Sequence, residues 1–256
     1  MRPFILPFKQ TIPGHQVLAG LIMLGVILFP FDSCGGDYSG PHQRMMLAIH
    51  RDVARNSQVL GRDNLSDEVA RAMARVERHL FVPLELRSNA YANSPLPIGH
   101  GQTISQPTIV AMMTDLLALS PADTVLEIGT GSGYQAAVLA EIVPGGIVHT
   151  IEIVPELARS ARNRLATLGY DNIEVHEGDG YLGLPDQAPF TGIMVTAAAS
   201  EIPEPLIQQL APGGRLVMPV GPHGETQYLT LLSKNNEGQV TEKVVLAVRF
   251  VPLVRR

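Results

Sequence analysis

The sequence has one cysteine, Cys34, so no disulfide can close within the chain, and cysteine usage says nothing about compartment. It has no run of lysine or arginine, and its formal net charge is −5. A nucleic-acid partner would want a basic face, so none is expected. Its eight histidines are scattered without an HExxH pattern or paired ligand spacing, and no metal site is read. Internal repeats and low-complexity tracts are missing as well. What remains is 256 residues, 45% hydrophobic and 17% charged, enough for one large α/β domain with a real core.

The N-terminus departs from that picture. VLAGLIMLGVILFPF, residues 17–31, is uncharged and apolar behind Arg2 and Lys9, the layout of a signal peptide or short signal anchor. Cys34 follows where a lipoprotein cysteine would sit, although Phe31 and Asp32 suit that role badly. Residues 1–41 are therefore set apart as an apolar signal- or anchor-like segment with a linker, CGGDYSGP (34–41), ahead of a domain over 42–256. This leaves open a membrane contact through residues 17–31 and an export or inner-membrane address. It also leaves open a start the working protein does not need, since Met45 and Met46 lie just before the globular part.

Helical spacing runs over residues 45–60 and again over 66–76, where Ser66 is the expected N-cap and Asp67 and Glu68 suit the first turn. Residues 81–101 carry three prolines and two glycines among apolar side chains and read as an ordered loop. From Pro107 a broad apolar helix is expected. From Thr124 strands and helices alternate, which predicts a Rossmann-like, doubly wound, mostly parallel sheet. The two strands around NNEG predict an antiparallel hairpin at its C-terminal edge, and the early helices predict an N-terminal helical addition.

The strongest local signal is VLEIGTGSGYQAAVL, a buried strand running through Gly129, Thr130, Gly131 and Gly133 into a helix. Such a turn lets a nucleotide-like ligand approach the backbone. Gly131, Gly133 and Ala136 satisfy a loose dinucleotide pattern, so a nicotinamide cofactor stays open. Glu127 argues against it, because a carboxylate at the mouth of the site suits an ammonium group better than a pyrophosphate. The turn also lacks Lys and Arg. Glu152 ends the next strand, where an acid can accept both ribose hydroxyls. Asp179, followed by Gly180 in EGDG, could take an adenine amino group. An adenosine bearing an amino acid and no phosphates is S-adenosylmethionine.

With these residues in place the chain resembles the protein-L-isoaspartate O-methyltransferases from about Ser66 to Leu253. The resemblance rests on HLFVP, PLPIGHGQTISQP, the glycine turn, EGDG, VTAAASEIPEPLIQQLAPGGRLVMPVG and RFVPL in that order. It implies methyl transfer from S-adenosylmethionine to the free carboxylate of L-isoaspartyl residues in damaged proteins and peptides, in the cytoplasm, by a monomer. It also implies that the serine of TIS, Ser105, is the active-site residue, with Ile104 beside it.

The residues give Ser105 a second reading. It precedes Pro107 in what reads as the first turn of a helix, whose free N–H groups suit a carboxylate and whose N-cap a serine commonly is. His100 reads as a packing residue more readily than as a base. RFVPL, with Val251 and Pro252, reads as a sheet edge on which an extended peptide could pair. The resemblance extends Thr226 and Gln227 toward the cofactor. Thr191 and the stretch Ala92–Ser94 depart from the family pattern, which expects acids there. A nicotinamide-dependent oxidoreductase and a membrane-tethered, turnover-free protein of the same fold are the alternatives.

Overall fold

A computed structural model describes residues 37–222 and 224–255; the apolar stretch 17–31 and Cys34 lie outside the described residues. Helix α1 (Ser39–Arg55) begins inside the stretch expected to be linker, and buries Met45, Ile49 and Val53. Met45 is therefore interior to the domain. A short α2 (Ser57–Leu60) follows, then α3 (Asp67–Arg75), whose N-cap Ser66 accepts from the Val69 N–H at 3.4 Å as expected. The Pro-rich loop is more structured than its composition suggests. It holds two 3-10 turns, Arg78–Phe81 and Leu84–Asn89, and then a small antiparallel hairpin of β1 (Leu96–Gly99) and β2 (Gln102–Ile104). Helix α4 (Pro107–Leu117) carries Pro107 at its start, where the missing N–H costs nothing.

The alternating part follows the expectation closely: β3 (Thr124–Ile128), α5 (Tyr134–Ile142), β4 (Ile147–Glu152), α6 (Pro155–Thr167), β5 (Ile173–Glu177) and β6 (Phe190–Val195). After α7 (Glu204–Gln209), strand β7 (Leu210–Val220) starts ahead of the RLVMPVG expected of it, and β8 (Gln227–Lys234) and β9 (Val240–Val248) close the chain's sheet. The order is β5-β4-β3-β6-β7-β8-β9, with β5 through β7 parallel and the last two pairings antiparallel. The strands β3, β4 and β6 are buried almost throughout because both faces are covered, polar members such as Glu127 and His149 included.

Two cores result, one on each sheet face. The larger lies under α1, α3, α4 and α5 and includes Met73, Met112 and Leu139; the other gathers Ile128, Ile151, Phe190 and Leu206. Helix α4 is buried nearly all round because it packs on β6 and β7 with one side and receives α1 and α3 on the other. The N-terminal helices α1 and α3 thus form a layer over α4 and α5. Among the described residues no helix is long and apolar enough to cross a membrane.

Candidate active site

Chain direction changes sides between β3 and β6, and a parallel sheet opens a crevice at such a point. Gly129, Gly131 and Gly133 fill that crevice with φ of 96°, 53° and 86°, a region open to glycine. At Gly129 a Cβ would overlap Thr196 Oγ1, which fixes the residue by space as well as by conformation. Glu152 holds the turn closed: its Oε2 accepts from the Gly131 N–H at 2.8 Å and its Oε1 from the Val154 N–H at 3.0 Å. Each oxygen keeps a further lone pair. With Gly129, Gly131, Gly180 and Pro252 it lines a small cavity of about 60 Å³. Asp179 stands beside this cavity without lining it, and accepts from the Tyr181 N–H at 2.9 Å in a local turn.

Glu127 is not at the mouth of the site, as its place in the sequence suggested, but at its floor. It is wholly buried, because its strand lies between β4 and β6. Parallel register pairs it with Thr150, whose hydroxyl donates to Oε2, and Thr130 Oγ1 lies 2.6 Å from that hydroxyl. Oε1 has no partner among the described residues. Burial pushes this carboxyl up to about 8; the Thr150 hydrogen bond opposes the rise, and the Glu152 charge adds to it. Glu127 lines a pocket of about 40 Å³ with Ser105, Thr130, Ser132 and Gln135. A buried carboxyl with one unpaired oxygen facing a pocket is a group prepared for a donor.

The helix N-terminus after GQTISQP is already satisfied. Pro107 has no N–H, the Thr108 N–H donates to Asn93 Oδ1 at 3.1 Å, and the Ile109 and Val110 N–H groups donate to the Gln106 carbonyl. Gln106 is the N-cap, so Ser105 is not. The expected anion site on free backbone N–H groups is therefore corrected; what Ser105 offers is its hydroxyl. Asn93, within one of the departures from the family pattern, also donates to Asp52 at 2.8 Å and so ties the hairpin loop to α1.

Arg78 fixes Ser105 from behind, a role the sequence did not disclose. It is fully buried, donates from Nη2 to the Ser105 carbonyl at 2.7 Å and from Nε to the Ala90 carbonyl at 2.8 Å, and lies 4.9 Å from the centre of the Tyr134 ring. Its only trace in the sequence is its place beside HLFVP, a stretch too apolar to be a free surface.

Outside Ser105 opens a larger cavity of about 470 Å³, lined among others by Thr103, Gln106, Thr226, Val248 and Val251. Thr103 and Thr196 line all three cavities, Ser105 lines this one and the Glu127 pocket, and Ile104 lines the latter. Val251 is shared between the large cavity and the Glu152 cavity.

Three expectations are corrected here. RFVPL is no free edge: the Ala198 N–H donates to the Val251 carbonyl at 2.8 Å and the Leu253 N–H to the Ala198 carbonyl at 2.7 Å, so the segment crosses the sheet end. Gln227 lines none of the cavities; its amide clamps the Phe250 backbone, accepting at 2.7 Å and donating at 3.4 Å. His100 sits exposed in the hairpin turn at φ 53° and lines none of them either.

Comparison with known proteins adds to this geometry. The sequence model of the protein-L-isoaspartate(D-aspartate) O-methyltransferase family matches residues 54–256. Protein-L-isoaspartate O-methyltransferase 1 of Cupriavidus necator is 55% identical over 250 residues, 97% of this chain and 96% of that protein. The corresponding protein of Nitrosospira multiformis is 60% identical over 185 residues, 72% of this chain and 78% of its own length. A solved protein-L-isoaspartate O-methyltransferase superposes with a TM-score of 0.71 at 28% identity, covering 82% of this chain and 65% of that one.

Proposed function

The chain belongs to the protein-L-isoaspartate O-methyltransferase family, and from that premise we propose how its residues carry out the family's reaction. It is an S-adenosylmethionine-dependent carboxyl methyltransferase acting on L-isoaspartyl residues of damaged proteins and peptides. The observation that carries the reading is the shared wall. Two small acid-lined pockets and one larger open cavity meet at Thr103 and Thr196, with Ser105 at the junction.

The residues present fit the cofactor. Glu127, with an unpaired buried oxygen, would receive its ammonium group. Glu152 would receive ribose hydroxyls on its remaining lone pairs, the glycine turn removes side chains that would block approach, and Gly180 with Asp179 would face the adenine. When bound, S-adenosylmethionine supplies an electrophilic methyl on a sulfonium. The substrate carboxylate needs no base, being ionised at neutral pH, so the protein's contribution is position and exclusion of water. Ser105 donates to one carboxylate oxygen and leaves the other free to react; Arg78, holding the Ser105 carbonyl, keeps that hydroxyl in place. Ile104 and Val251 dry the junction, and Pro252 closes it from the cofactor side. A cationic side chain at Ser105's position would hold the anion too firmly and blunt its attack.

The substrate cavity is open and lined partly by backbone-rich residues 248–251, which suits an extended peptide of varied sequence. We place the enzyme in the cytoplasm, where its cofactor is made, acting as a monomer, with residues 42–256 as the catalytic domain and the helix from Ser39 leading into it. A binding comparison tests the cofactor half: S-adenosylmethionine should bind in the micromolar range and NAD should not, and an isoaspartyl peptide should take up labelled methyl. Tight NAD binding without methyl transfer would return the oxidoreductase reading.

A further inference from the structure

Away from the cofactor, the sheet edge brings three ligating side chains to one point. Parallel register pairs His149 of β4 with Glu174 of β5 and Ile151 with His176, so His149, Glu174 and His176 share one sheet face. His149 Nδ1 lies 3.3 Å from Glu174 Oε2 and 3.3 Å from His176 Nε2, and His176 Nε2 lies 3.7 Å from the same Glu174 oxygen. A tetrahedral ion with bonds of 2.0–2.1 Å needs ligand-to-ligand edges of about 3.3–3.4 Å. We propose that His149, Glu174 and His176 form a zinc-binding site that joins the edge strand β5 to β4.

The donor set suits the ion. Two imidazoles and one carboxylate match Zn²⁺ and leave a fourth position for water. His149 is buried and backed by the Phe190 ring, with centroids 6.0 Å apart, so one ligand is held rigidly. Glu174 is exposed and His176 half-buried, which gives an ion a way in. Burial lowers the proton affinity of both histidines, and neutral imidazole is the form that ligates. The sequence conceals the site because its members lie at positions 149, 174 and 176, and only the α6 crossover sets them side by side. Among the described residues strand β5 has one neighbour, β4, so an ion spanning the two would hold the strand that leads to Asp179 and Gly180.

The competing arrangement is a hydrogen bond from His149 shared by Glu174 and His176, with no metal affinity. Titration of metal-stripped full chain with Zn²⁺ separates the two. The proposal expects one ion per chain at micromolar or tighter affinity, a rise in melting temperature with Zn²⁺ but not Mg²⁺, and X-ray absorption showing nitrogen and oxygen ligands. His176→Ala and Glu174→Gln, checked for folding by normal S-adenosylmethionine binding, should each weaken the Zn²⁺ affinity at least tenfold and abolish the thermal shift. Absence of stoichiometric binding, sulfur ligation, or equal Zn²⁺ affinity in parent and variants overturns it.

Discussion

Replacing Glu127 by glutamine should raise the stability of the free enzyme at alkaline pH while weakening cofactor binding, and the two effects have one physical origin. The carboxyl titrates at about 8 in the folded chain against an ordinary 4.5. The folded state therefore holds this proton more tightly than the unfolded state does. The stability it contributes is complete below pH 4.5 and is lost as pH rises toward 8. One such proton is worth about 1.4 kcal/mol per pH unit, less as pH nears 8, so the loss between pH 5 and pH 8 is on the order of 3 kcal/mol. The glutamine side chain keeps an oxygen for the Thr150 hydroxyl and never ionises.

Urea unfolding at pH 5, 6.5 and 8 should show the parent losing stability relative to Glu127→Gln by that amount across the series. Cofactor affinity should move the other way, falling roughly 10- to 100-fold, because a hydrogen bond to a charged partner contributes about 1.5–3 kcal/mol. Calorimetry at pH 7 in two buffers of different ionisation heat should find proton release on binding to the parent and none with the variant. Parallel pH profiles for the two proteins would show that Glu127 does not titrate there. An unchanged dissociation constant would remove it from the cofactor site.

Ser105→Ala should lower turnover about ten- to a hundredfold with cofactor affinity intact. It should leave the melting temperature unchanged, since Gln106 and not Ser105 is the N-cap; a stability loss would restore the capping role. Glu152→Ala should weaken cofactor binding by roughly 1.5–3 kcal/mol and leave peptide KM nearly unchanged, the Gly131 and Val154 N–H groups losing their partner as well. A chain beginning at Asp37 should be as active as the full chain. One beginning at Met45 should lose on the order of 1–3 kcal/mol, because it lacks Tyr38, stacked on His79 at 4.1 Å, and His42, stacked on Tyr91 at 4.8 Å. Equal denaturation midpoints for the two shortened chains would rule out that contribution.

Elements whose hydrophobic period and punctuation agree were legible without coordinates. β3 to β6, α5, α6 and the closing hairpin each combine an apolar run or period with glycine or proline at a boundary, and the glycine turn marked the ligand end of the sheet. Properties set by long-range placement were not. Whether Glu127 faces solvent or floor depends on β4 and β6 covering it. Whether Ser105 caps or projects depends on Asn93, from the preceding loop, taking the Thr108 N–H. Arg78 belongs to no motif, and its role shows only where its guanidinium meets the Ser105 and Ala90 carbonyls. RFVPL kept its edge-strand pattern but found Ala198 and Gln227 as partners, which no local pattern encodes.

The central claim is methyl transfer to a carboxylate chosen by its position. Its most direct test is the rate on two synthetic peptides of identical sequence, one with L-isoaspartyl and one with ordinary L-aspartyl at the same place. Transfer of labelled methyl from S-adenosylmethionine is followed by base-labile release of methanol and by mass spectrometry. The account predicts ester formation on the isoaspartyl peptide, succinimide appearing as the ester closes, and kcat/KM for the aspartyl peptide lower by at least two orders of magnitude. Equal rates on the two isomers, or no methyl transfer to either by folded, cofactor-binding protein, would contradict it.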